Sequence, residues 1–68
     1  MKNTTQDIYE TIEQLNRLRL DKSLKPVLNA LEDNFNLLLD NYNRLSNKQL
    51  QSLINICNRY ISTFHQYI

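Results

Sequence analysis

Between Leu24 and Leu45, large apolar side chains recur at alternating steps of four and three: Leu24, Leu28, Leu31, Phe35, Leu38, Tyr42 and Leu45. This is the seam of an amphipathic helix, and it predicts a helix over about 24–45. Val27, Ala30, Leu37 and Leu39 widen the apolar face beyond a strict two-stranded seam. A helix with so broad a face is expected to touch more than one neighbour. A second ladder, Leu50, Ile54, Cys57, Ile61, Phe64 and Ile68, keeps the same steps and predicts a helix over about 47–67. Ser46 and Gln49 lie between the two ladders at capping-box spacing, with Leu45 and Leu50 at the staple positions around them. Folded antiparallel about Ser46, the seams meet in register. Leu45 then faces Leu50, Tyr42 faces Ile54, Leu38 faces Cys57, Phe35 faces Ile61, Leu31 faces Phe64 and Leu28 faces Ile68. Helices in such a hairpin cross at roughly 20°. Leu24 overhangs the ladder and needs cover from elsewhere.

The N-terminal stretch carries a shorter stripe, Ile8, Ile12 and Leu15, continued by Leu18 and flanked by Tyr9 and Leu20. It predicts a first helix over about 5–20, opened by Thr4 and Asp7 at capping-box spacing. Asp7, Glu10 and Glu13 sit towards its start and Arg17 and Arg19 towards its end, where the helix dipole favours each sign. Glu13 precedes Arg17 by four residues and Asp40 precedes Arg44 likewise, the favourable order for surface pairs. So short a stripe cannot hold a helix in isolation. Asp21-Lys22-Ser23 is the expected break, with Ser23 capping the second helix and Pro26 in its first turn. The restraint that a proline places on the preceding residue also allows a start at Lys25.

The expected fold is therefore all-α: one helical domain over 1–68, with a short first helix packed on a long antiparallel hairpin. A surplus of apolar surface adds the expectation of a larger bundle formed as a homodimer. Leu53, Tyr60 and Tyr67 make a second stripe along the third helix, which a hairpin cannot bury together with its seam. Length points the same way, because 68 residues bury a modest core and need a staple or a partner. The single cysteine allows no internal disulfide, and Cys57 with His65 supplies no metal-ligand spacing. Glycine is absent and proline occurs once, which leaves almost nothing to interrupt a helix. The N-terminus lacks the apolar core of a signal peptide, and the longest apolar run, Leu37-Leu38-Leu39, is far short of a membrane span. A lone thiol adds to the expectation of a reducing, cytoplasmic setting.

Catalysis is not expected. Cys57 and His65 stand two helical turns apart, too far for a nucleophile and its base. Cys57 falls on the seam and reads as a small buried hydrophobe. Without glycine there is no phosphate-cradling loop, and Asp7, Glu10 and Glu13 read as a solvated helix face. No cofactor, metal or small-molecule substrate is implied. A formal charge of +1 gives no general reason to favour nucleic acid. Arg17, Arg19, Lys22 and Lys25 nevertheless gather at the first interhelical corner and carry the alternative reading, a small RNA- or DNA-binding regulator. A helix-turn-helix needs a recognition helix with a polar, basic start. Here the second helix is the most apolar in the chain and bears Glu32 and Asp33.

The preferred reading is a non-enzymatic regulator or inhibitor that docks a helical surface on a partner protein, of the kind that a phage or plasmid encodes. Tyr9, Leu53, Tyr60 and Tyr67 are its expected contact residues, with Arg17 and Arg19 as a rim. Tyrosine suits such a surface because it joins a broad apolar ring to one polar tip.

Two family resemblances accompany this reading. The hairpin Leu31–Phe64, with its short polar turn and a cysteine on the second seam, resembles the Rop family of plasmid copy-number regulators. That resemblance implies a dimeric four-helix bundle that binds paired RNA loops. The chain has an additional N-terminal helix and lacks an exposed basic pattern along the first hairpin helix. The run from Asp7-Ile8-Tyr9 through Leu45 is similar to bacteriocin immunity proteins of the enterocin-A type, which implies a cytosolic antiparallel bundle. Those proteins are longer, and the final helix and tail that carry their specificity have no counterpart in this chain. No functional residue carries over from either family.

Overall fold

A computed structural model of the chain describes residues 5–67. Three helices run in order, α1 (Thr5–Asn16), α2 (Lys25–Asp40) and α3 (Asn47–Ser62), and no strand occurs among the described residues. Each helix packs on the other two, and the contact between α2 and α3 is the most extensive. All three feed one core. Ile8, Ile12 and Leu15 come from α1, Leu28, Leu31, Phe35 and Leu38 from α2, and Cys57 from α3, with Phe64 added just beyond the end of α3. Leu38 and Cys57, opposite one another in the expected register, are both fully enclosed, as are Leu31 and Phe64. Leu24 is partly buried against the same core, so its overhang is covered. No charged or polar side chain is buried among the described residues, so apolar packing alone fills the interior.

The turn before α3 takes the form that its residues imply. Gln49 N–H donates to Ser46 Oγ at 3.2 Å and Ser46 N–H donates to Gln49 Oε1 at 3.0 Å, which completes the capping box. Leu45 and Leu50 both pack against the core on either side of it. No residue in the turn needs a positive φ.

The other helix ends depart from expectation, and the chemistry of each is visible. α1 stops at Asn16 instead of continuing to about residue 20. The Asn16 amide donates to Ile12 O at 3.1 Å, and the next two backbone bonds, Arg17 to Gln14 and Leu18 to Leu15, are of the tighter three-residue kind. Three-residue bonds of this kind tighten and close the last turn of an α-helix. Ser23 does not cap α2. It lies inside a single 3₁₀ turn, Lys22–Leu24, and α2 begins at Lys25 with Pro26 in its first turn. α2 stops at Asp40 rather than near 45. The Asn41 side chain donates to Leu37 O at 3.0 Å, and the chain then reverses through 41–45. Asn34 makes the same bond within α2 without ending it, so the amide bond accompanies the helix end and does not by itself cause it. Tyr42 thereby leaves the helical register, and its place on the seam opposite Ile54 is corrected: it is 48% exposed. Arg17 and Arg44 stand beyond their helices, so helix geometry does not hold the two expected surface pairs. α3 ends at Ser62, and three-residue bonds carry the chain on to Tyr67. The expected caps at Thr4 and the seam position at Ile68 lie outside the described residues.

Two substitutions check this packing. Leu38→Ala is expected to cost about 2–5 kcal/mol in urea unfolding, and Ser46→Ala about 1 kcal/mol. An unchanged midpoint for Leu38→Ala would remove the seam from the core.

Candidate functional site

Among the described residues, four large apolar side chains remain about half exposed: Tyr9, Leu37, Leu39 and Tyr42. Two of them meet. Tyr9, Ile12, Glu13 and Asn16 follow one another at steps of three, one and three, which puts them on one face of α1. Glu32, Phe35, Asn36 and Leu39 repeat those steps on α2. The two faces form the walls of a groove of about 240 Å³. Tyr9 stands beside Phe35 with ring centroids 6.5 Å apart, inside the range of favourable aromatic pairs. Asn16 Nδ2 donates to Glu32 Oε2 at 2.8 Å, so a hydrogen bond ties the same two helices together.

The floor of the groove is apolar, from Ile12 and Phe35, with Leu39 and the Tyr9 ring on its flanks. Glu13 and Glu32 supply one carboxylate from each wall, and among the described residues no cation lines it. Its volume falls below the roughly 300–1,000 Å³ of small-molecule pockets. The arrangement suits an apolar side chain with positive charge beside it. A larger hollow, lined by Gln6, Tyr9, Glu10, Glu13, Gln14, Arg17 and Leu18, is bounded by α1 and the segment leaving it, and no second helix closes it.

The expected contact residues are thus divided. Tyr9 lies in the groove. Leu53, Tyr60 and Tyr67 are partly buried and packed against the core, so much of the second stripe on α3 is absorbed within the chain. Ile56, on the same helix, is 37% exposed. Arg17 and Arg19 are exposed in the segment after α1, Lys22 is exposed in the 3₁₀ turn, and Lys25 is exposed at the start of α2. These four of the chain's eight lysines and arginines therefore lie in one short solvent-facing stretch. Leu37 and Leu39 were expected to widen the buried face of α2, and both are exposed instead. The run Leu37-Leu38-Leu39 contains the signal: successive helical residues point about 100° apart, so only the middle one can face the core.

His65 is exposed, with Nδ1 3.2 Å from Ser62 O. Cys57 is enclosed, and burial pushes its thiol above the usual value of 9.0. No group of three or more His, Cys, Asp and Glu side chains that could hold a metal ion occurs among the described residues. Among them, too, no helix is long and apolar enough to cross a membrane. Compared with known protein families, with curated proteins and with solved structures, the chain matches none.

The raised thiol gives a pH dependence with a definite sign. The unfolded thiol ionises before the folded one, so the folded state holds more protons in the alkaline range and stability falls as pH rises past about 9. Urea midpoints followed from pH 7 to 10 should drop more steeply for the natural chain than for Cys57→Ala. Parallel curves would place the thiol in contact with water.

Proposed function

We infer that this chain is a non-enzymatic interaction module, a small cytoplasmic regulator or inhibitor that acts by docking a helical surface on a protein partner and that self-associates as a dimer. On this reading α2 and α3 are an antiparallel hairpin with α1 laid across it. The observation that carries the reading is the groove between α1 and α2, where Tyr9 and Leu39 stay half exposed over an apolar floor. Half-exposed leucine and tyrosine scattered singly are ordinary on a protein surface. Two that converge from different helices on a side-chain-sized slot resemble the anchor pockets of protein interfaces. A phage- or plasmid-encoded modulator, or a bundle of the bacteriocin-immunity kind, would fit this mode of action.

A second reading has its own observation. Arg17, Arg19, Lys22 and Lys25 are all exposed at the corner between α1 and α2, where phosphates could reach them. It makes the chain a small RNA- or DNA-binding regulator.

Leu39→Asp separates these surfaces because its side chain lies outside the core. Partner capture from the native host, identified by mass spectrometry, is expected to be lost in Leu39→Asp with helical content unchanged. Retention of the same partner would remove the groove from the interface. Tyr60→Ala is a poorer probe, since Tyr60 also packs against the core. For the nucleic-acid reading, Arg17→Ala combined with Arg19→Ala should shift elution from a heparin column to lower salt and weaken RNA binding. Unaltered RNA binding would set that reading aside.

A further inference from the structure

The groove between α1 and α2 asks for an apolar side chain flanked by positive charge, and the chain displays such a segment itself. Arg17-Leu18-Arg19 follows directly on the last residue of α1. Leu18 is 37% exposed, both arginines are exposed, and helical bonding has given way there to two three-residue bonds. We propose that the Tyr9–Leu39 groove receives the Arg17-Leu18-Arg19 segment of a second copy of this chain. This rests on reading the groove as a docking surface and names its occupant.

The match is one of both shape class and charge. The groove places an apolar floor between Glu13 on one wall and Glu32 on the other. The segment places one leucine between two guanidinium groups, each able to grip a carboxylate through two parallel bonds. Glu32 spends Oε2 on Asn16, and its other oxygen remains to accept from an incoming arginine. The Tyr9 ring beside the slot adds a face over which a guanidinium can lie.

The segment cannot serve its own groove. It departs from α1 immediately after Asn16, which is itself part of the groove wall, and Arg17 and Leu18 line the separate hollow along α1. Tyr9 and Glu13 border both the groove and that hollow, so donor segment and receiving slot adjoin on one patch. An isologous contact requires this, because each copy must give a segment and accept one across the same twofold axis. Two reciprocal insertions close the dimer and leave no open end for further growth.

Sedimentation velocity across a range of concentrations tests this directly. A dimer is expected that weakens as salt rises, since exposed charge pairs are screened. Glu13→Arg with Glu32→Arg should each face unchanged arginines, and Arg17→Glu with Arg19→Glu should face unchanged glutamates. Each double variant alone should lose dimer affinity by about tenfold or more. Mixed in equal amounts they should form a heterodimer, because both reciprocal contacts again join opposite charges. Leu18→Glu should be monomeric, with circular dichroism used to check that each variant retains its helices. A monomer at all concentrations, a dimer unaffected by Leu18→Glu, or a mixture that fails to pair would each overturn the proposal. If the natural chain is monomeric while Leu39→Asp still abolishes partner capture, only the second-copy occupant falls and the docking surface stands.

Discussion

Ile8, Leu15, Leu31, Leu38, Cys57 and Phe64 are withdrawn almost completely from water, and together they draw on all three helices and the turn beyond the last. Removing that apolar surface from solvent is what holds the chain together. A protein of this length gains little from any other source: it has one cysteine and therefore no internal cross-link, and its described residues offer no cluster that could bind a metal. The stripe on α1 is too short to order a helix alone, so α1 exists because α2 and α3 give it a surface to cover.

The groove is a by-product of the same packing. α1 meets α2 along faces of identical spacing, with Ile12 and Phe35 turned towards the core and Tyr9 and Leu39 left on the shoulders. The Tyr9–Phe35 ring pair and the Asn16–Glu32 hydrogen bond both join those shoulders. On the proposed docking reading, walls already in contact lower the cost of ordering the site when a side chain enters. The site's character lies in shape and sparse charge. Cys57, the buried ionisable group among the described residues, has its thiol pushed towards the neutral form by burial.

Asparagine does in this chain part of what glycine does in others. With no glycine available, α1 and the end of α2 both finish where an amide side chain takes up a carbonyl one turn back, at Asn16 and Asn41. The first of these stops frees Arg17, Leu18 and Arg19 from the helix. The second releases Tyr42 from the seam. Where the helices end thus bears on which apolar and basic residues remain on the surface.

Much of this architecture is written in one dimension. The alternating steps of Leu28, Leu31, Phe35 and Leu38 and the box at Ser46 and Gln49 depend on residues within a few positions of one another, so they can be read without coordinates. The enclosure of Leu38 with Cys57 follows once those two signals are combined. Other features depend on which neighbour arrives from elsewhere in the chain. Leu53, Tyr60 and Tyr67 looked like surplus until the rest of the fold closed over part of them, while Leu37 and Leu39 looked buried until α2 was given its actual neighbours. The groove itself draws four residues from each of two helices, and no local pattern specifies how those faces will be set against each other. Periodicity tells which side of a helix is apolar; only the packed arrangement tells how much of that side is covered.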